Sequence, residues 1–212
     1  ARNHQTASWF GWGCPRGPKH LGKPLPGWGK NVLGSISADR LPVRAGMGVF
    51  PGDAPCRTAQ TFAIGPGCPV NVTEISMSTH CGAHADAPLH YDADGKSIDQ
   101  LDLSDFLGPA RLIDARGTKP LCRPEDIAGQ LENAPPRILL RLAERIDPMV
   151  WPMGFRTLAP ETMTLLAETG VKLIGVDVPS VDPETSKDLP SHMVARRHDM
   201  RILENLALYC AE

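Results

Sequence analysis

The segment His80-Cys81-Gly82-Ala83-His84-Ala85-Asp86-Ala87-Pro88-Leu89-His90 carries three imidazoles and a carboxylate within eleven residues. His192 and Glu204 follow more than a hundred residues later. Together these donors suit one or two divalent metals with coordination positions left open, which is the arrangement of a catalytic site. The chemistry they would serve is metal-assisted hydrolysis.

Spacing constrains how the first cluster can fold. On a regular strand His80 and His84 would stand about 13 Å apart, far too wide for one metal with bonds near 2.0–2.1 Å. A regular helix would put both histidines on one face but turn Asp86 about 240° away from His80. A bent loop is therefore expected if all three ligate, with Gly82 supplying the unusual backbone angles and Pro88 stiffening the exit toward His90. Upstream, Val70 to Thr79 alternates in character and is rich in β-branched residues, so it predicts a strand ending at the loop. Cys81 could offer a soft donor, but between two histidines it is expected to pack as a small apolar residue.

The second pair has its own constraint. His192 and Glu204 would lie about 18 Å apart on an unbroken helix, so the chain must break between them. Asp188-Leu189-Pro190-Ser191 reads as a loop and helix start, which places His192 at or before the start of the helix. Met200, Leu203 and Leu206 recur at helical spacing and are expected in the core, while Arg196, Arg197, His198, Asp199 and Arg201 are expected on a solvated face.

Around these ligands, Arg111–Ala115, Arg137–Arg141 and Lys172–Val176 are short apolar runs of the buried-strand type. Pro124-Glu125-Asp126 opens a helix, and Glu161 to Thr169 forms another that Gly170 stops. The pattern is α/β.

The loop H-C-G-A-H-A-D-A-P-L-H resembles the signature of the metal-dependent cyclase-like hydrolase family, and within it the bacterial arylformamidases (kynurenine formamidases). Further matching segments are Phe50–Pro55, Cys68–Val72, Leu107–Arg111, Ala159–Thr162, Gly175–Pro183 and His198–Glu204. The resemblance runs from about residue 46 to 207, some three-quarters of the chain. It implies a swivelling β/β/α fold, a mixed sheet core with flanking helices, and a homodimer. It also implies two zinc ions per subunit, one held by His80, His84 and Asp86 and the other by Asp86, His192 and Glu204. His90 matches the residue that donates and accepts the proton. Phe50 stands where the family usually has a tryptophan lining the substrate's aryl ring; phenylalanine can still stack, but it has no indole donor. The implied reaction converts N-formyl-L-kynurenine to L-kynurenine and formate. That chemistry needs an acid for a poor aniline leaving group, and a histidine of ordinary pKa near 6.5 suits both acid and base duties.

Two other readings stay open: a related amidohydrolase acting on another aryl or cyclic amide such as isatin, and an inactive metal-binding relative. Manganese or iron would also accept imidazole–carboxylate donors. No G-x-S-x-G, H-E-x-x-H or P-loop pattern occurs. Gly11-Trp12-Gly13 and Gly46-Met47-Gly48 read as loops.

A net charge of −2 and 42% hydrophobic residues argue for one compact enzyme domain with a small-molecule substrate, not a nucleic-acid or membrane partner. The six cysteines lack metal spacing and are expected to be reduced, in a cytoplasmic setting. Residues 1–45 hold three of the four tryptophans without periodicity, and only eight residues follow Glu204. Residues 1–45 are thus expected to form an atypical, poorly ordered segment ahead of a hydrolase domain at 46–212, both ends being atypical or truncated.

Overall fold

The computed structural model describes residues 43–210. The expectation for residues 1–45 therefore falls almost wholly outside the described residues. The chain first forms a hairpin of β1 (Arg57–Phe62) and β2 (Val72–Ser76), paired antiparallel from Arg57 opposite Ser76. The strand expected over 70–79 is realised within it. After a turn come β3 (His84–Asp86), β4 (Arg111–Asp114), β5 (Leu121–Cys122) and α1 (Pro124–Ile127). Next are β6 (Arg137–Arg141), β7 (Thr157–Leu158), α2 (Pro160–Glu168), β8 (Leu173–Val176), α3 (Pro190–Arg197) and β9 (Arg201–Glu204).

The central sheet has the order β3-β9-β8-β6-β4. Its four inner and far strands run parallel, and β3 joins the edge antiparallel to β9. Parallel strands are buried on both faces and so read as continuous apolar runs, which is why β6 and β8 were visible in the sequence. Alternation splits their side chains between two cores. Ile138, Leu140, Ile174, Val176 and Ile202 pack with Met163 and Leu166 of α2 and with Val194 and Ala195 of α3. Leu139 and Leu173 face the other way, toward Leu206 and Leu208. Each α-helix starts with proline at its first position, where a missing N–H costs nothing. The mixed α/β architecture is the expected one.

Two expectations are corrected. Met200, Leu203 and Leu206 do not share a helix, because Asp199 takes φ +50° and ends α3. The chain then extends as β9, held by β8 on one side and β3 on the other. Ladder pairing on both edges outweighs a short helical-looking stripe. Arg201 is also not on a solvated face: it is buried, with Nε 2.8 Å from Asp105 Oδ2 and Nη1 2.7 Å from Asp199 Oδ1.

Asp177, just past β8, ties the two strand ends together. Its carboxylate accepts the Leu142 N–H at 2.8 Å and the Ala143 N–H at 3.3 Å. Burial nonetheless pushes its carboxyl up from 3.8 to about 6, with those amides pulling the other way. A folded pKa above the unfolded one means this group's stability contribution is full below 3.8 and is lost as pH rises through 6. Asp177→Asn keeps an acceptor oxygen but cannot ionise. Its Tm relative to the unaltered protein should therefore be higher at pH 8 than at pH 4, by the equivalent of up to about 3 kcal/mol. A pH-independent difference in thermal melts would refute this.

Candidate metal centre

The ligand loop is shaped by a turn and then a strand. Ser78 fixes the turn: its hydroxyl accepts the His80 N–H at 3.2 Å and its carbonyl accepts the Cys81 N–H at 3.1 Å. Gly82 takes φ +71°, as the sequence required, and reverses the chain. The rest of the segment differs from a continuous loop, since His84 to Asp86 is β3. Residues two apart on a strand project to one face, so His84 and Asp86 point the same way. The register sets His84 directly opposite Glu204 on β9, and directly opposed residues share a face. That long-range pairing brings in the distant carboxylate.

His192 arrives from the other side. It is the third residue of α3 and is buried. Its Nε2 lies 3.5 Å from Asp86 Oδ2 and 3.8 Å from Glu204 Oε1. On the first side, His80 Nδ1 and His84 Nε2 stand 3.2 and 3.3 Å from Asp86 Oδ1, and His84 Nε2 is 3.6 Å from Glu204 Oε2. Tetrahedral coordination at 2.0–2.1 Å demands donor–donor edges of about 3.3–3.4 Å. The cage thus has the dimensions of a metal site.

Its polar accounting agrees. His80 Nδ1 and His84 Nε2 face each other at 3.0 Å, where only a shared proton or a cation between them relieves lone-pair repulsion. Asp86 Oδ1, Asp86 Oδ2 and His192 Nε2 are buried without a hydrogen-bond partner among the described residues. Buried polar atoms are nearly always satisfied, so these three orphans fit a cation. Among the described residues two donor groups emerge: His80, His84, Asp86 and Glu204 in one, Asp86, His90 and His192 in the other. Asp86 belongs to both. Cys81 belongs to neither; it packs with Met47 and Cys56, and burial pushes its thiol up to about 11.

The remaining expected residue of the first loop, His90, ends a short 3₁₀ turn at Pro88–His90 and is the exposed member of the cluster. Its ring lies 4.1 Å from that of His80 and 6.1 Å from that of His192. Partial desolvation, then the neighbouring His80, pulls its pKa below the usual 6.5. Phe50 is half-exposed and meets Trp151 edge-on, ring centres 5.5 Å apart. Close packing requires Gly48 here, because a Cβ on it would fall 2.4 Å from the Trp151 amide nitrogen. The Trp151 indole N–H donates to Glu184 at 3.1 Å. Sequence reasoning passed over Trp151, Tyr91 (ring 5.1 Å from His192) and Asp182. Only an isolated tryptophan in a Pro/Met-rich loop could have signalled the first.

Charge in the cage is balanced by protons when no metal is bound. Burial disfavours charge on all four inner groups. The neighbouring His192, His80 and His84 still hold the Asp86 carboxyl far below the usual range. Burial and the nearby Asp86 charge raise Glu204. Against burial, Asp86 and Glu204 push His84 up to about 10. Asp182 and Asp86 likewise push His192 up to about 9. Metal ligation requires both imidazoles neutral, so loading near pH 7 should expel protons and apparent affinity should climb with pH until about 9 to 10. Calorimetric titration in buffers of different ionisation enthalpy measures the proton count; zero release would contradict the linkage.

The mixed sheet presents a buried imidazole–carboxylate cage at one edge strand, and the chain belongs to the Cyclase family, whose model matches residues 19–183. Among its relatives, the kynurenine formamidase of Delftia acidovorans is 52% identical over 166 residues, 78% of this chain and 79% of that one. The kynurenine formamidase of Bordetella pertussis is 50% identical over 167 residues, covering 79% and 80%. The solved structure of isatin hydrolase A from Ralstonia solanacearum superposes with a TM-score of 0.63 at 20% identity, over 79% of this chain and 77% of that one, which is a likeness of fold. The chain is a hydrolase.

Proposed function

We propose that the protein hydrolyses N-formyl-L-kynurenine to L-kynurenine and formate, a step of tryptophan degradation, using two zinc ions per subunit in a homodimer. The observation that carries this reading is the Asp86-centred double donor group in a chain half identical to kynurenine formamidases. His80, His84 and Asp86 would hold one ion, and Asp86, His192 and Glu204 the other, with Glu204 also within reach of the first group. Residues 46–212 form the hydrolase domain in this reading.

A divalent metal bound there supplies a Lewis acid that polarises the formyl carbonyl and brings the acidity of water toward neutrality. His90, at the exposed rim, takes the proton from the attacking water as the C–O bond forms. It then delivers that proton to the aniline nitrogen as the C–N bond breaks, so one imidazole serves both steps. Phe50 and Trp151 offer an aromatic corner for the aryl ring; rings pack edge-to-face at such separations. Burial of Asp86, His192 and Glu204 keeps bulk water from the donors that must stay fixed.

The test is formate release from N-formyl-L-kynurenine by metal-loaded protein, with isatin and other aryl formamides alongside. Turnover of the formyl substrate, lost on chelation and regained with zinc, supports the reading. Turnover of isatin alone, or metal binding without turnover of any of them, would sink it.

A further inference from the structure

We infer that Asp182 is the positioning residue of the metal centre: its carboxylate holds His192 with Nδ1 protonated and Nε2 aimed into the cage. The inference rests on the proposed role of His192 as a ligand. Asp182 is wholly buried. Its Oδ2 lies 2.7 Å from His192 Nδ1 and accepts the His192 backbone N–H at 3.0 Å. Its Oδ1 accepts the Ser191 N–H at 2.9 Å. One carboxylate therefore fixes both the ring and the backbone of the same ligand.

A carboxylate has only acceptor oxygens, so its neighbour at 2.7 Å must be an N–H. With the proton on Nδ1, the lone pair of neutral His192 sits on Nε2, the atom left without a hydrogen-bond partner beside Asp86. The contacts of Asp182 to Ser191 and His192 also cap the first turn of α3, whose leading amides have no helical partner. Leu189 before it takes φ +44°, so the chain bends sharply into the helix and its own N-cap side chain makes no capping bond. A carboxylate from the Pro179–Pro183 segment replaces that cap. The same segment donates the Val181 N–H to Glu204 Oε1 at 3.0 Å. Two ligands from different elements are thus set by residues adjacent in sequence.

His84 has a weaker counterpart. Its Nδ1 lies 2.8 Å from the Gly82 carbonyl, which also leaves Nε2 for the cage. A charged acceptor makes a stronger hydrogen bond than a neutral carbonyl, and such partners typically govern metal affinity by about 10–100-fold. His192 should therefore be the more sensitive of the two to loss of its acceptor.

The experiment compares the unaltered protein with Asp182→Ala, Asp182→Asn and Ser191→Ala. Ser191 Oγ donates to the Leu158 carbonyl at 2.9 Å, so its removal loosens the start of α3 without touching His192 Nδ1. Zinc affinity is read by competition with a chromophoric chelator, fold stability by thermal melting, and the imidazole N–H by proton NMR of the cobalt-loaded protein. Asp182→Ala should weaken zinc about 10–100-fold, and Asp182→Asn, which keeps an oxygen acceptor, should weaken it less. Ser191→Ala should lower Tm yet leave zinc affinity unchanged. In the unaltered cobalt protein the buried Nδ1–H of His192 should exchange slowly with solvent. Equal losses of affinity in Asp182→Ala and Ser191→Ala would reduce Asp182 to a structural cap and overturn the inference. Rapid exchange of that proton in the unaltered protein would overturn it as well, even if the alanine variant failed to fold. Failure of the unaltered protein to bind zinc or cobalt would instead remove the ligand role of His192, and the inference with it.

Discussion

Replacing Asp86 by asparagine is expected to empty the metal centre and abolish hydrolysis together. Asp86 is the one residue common to both donor groups, its two oxygens facing His80 and His84 on one side and His192 on the other. Asparagine has nearly the same shape but one oxygen in place of two, and its amide hydrogens would either face the cation or bond the imidazole lone pair that should ligate it. The change thus converts a bridging anion into a neutral group that can ligate on one side only. A metal that polarises a carbonyl contributes several kcal/mol to the barrier, so kcat/KM should fall by about three orders of magnitude or more. Removal of a ligand confined to one group, as in His80→Ala, should leave partial metal content. The check is metal per chain by elemental analysis after gel filtration, beside formate release. Asp86→Asn protein that retained its full metal would show that the two groups do not share a bridge.

The cage also explains which parts of the molecule could be read from sequence. The first loop is local: three histidines and an aspartate so closely spaced declare themselves, and Gly82 announces its positive φ. Pro190 marked the helix start, although His192 lies just inside it, as the third residue of α3, and not at or before it. The parallel strands were visible because burial on both faces leaves uninterrupted apolar runs, as in Leu173–Val176. The hairpin strand Arg57–Phe62 was not, since it is exposed throughout and has no core-facing alternation to display. Glu204 was a candidate donor by residue type alone, but its geometry is a matter of register: His84 faces it only because β3 adds antiparallel to β9. Nothing in the spacing of 84 and 204 encodes that. Asp182 escaped for a similar reason. It acts ten residues away through a bent connection, and an aspartate before a proline looks like any turn. Residues whose role is to hold another residue carry little signal of their own.

His90→Ala is expected to lower kcat by about 10²–10⁴-fold while leaving metal content intact. Two roles compete for this side chain, because its ring nitrogen lies within reach of Asp86 and His192 and could serve as a ligand. Position and charge favour proton transfer. His90 is the exposed member of its group, where a substrate must enter, whereas Asp86, His192 and Glu204 are buried. Its pKa is drawn below 6.5, first by partial desolvation and then by His80, so the ring is neutral and ready to act as a base at neutral pH. A nearby dication would push the same way. The kcat/KM profile should therefore rise as pH climbs through a value below 6.5 and then level off, and His90→Ala should lose that limb. Added imidazole should restore part of the variant's rate, since only a proton carrier is missing. A variant that loses metal along with activity, and that imidazole does not rescue, would place His90 on the cation. The proton would then have to move through another group, and Tyr91, with its ring 5.1 Å from that of His192 and a phenol pushed up to about 12 by burial, would make a poor base at neutral pH. That contrast is why the exposed histidine, and not its aromatic neighbour, is the residue on which the hydrolytic cycle should depend.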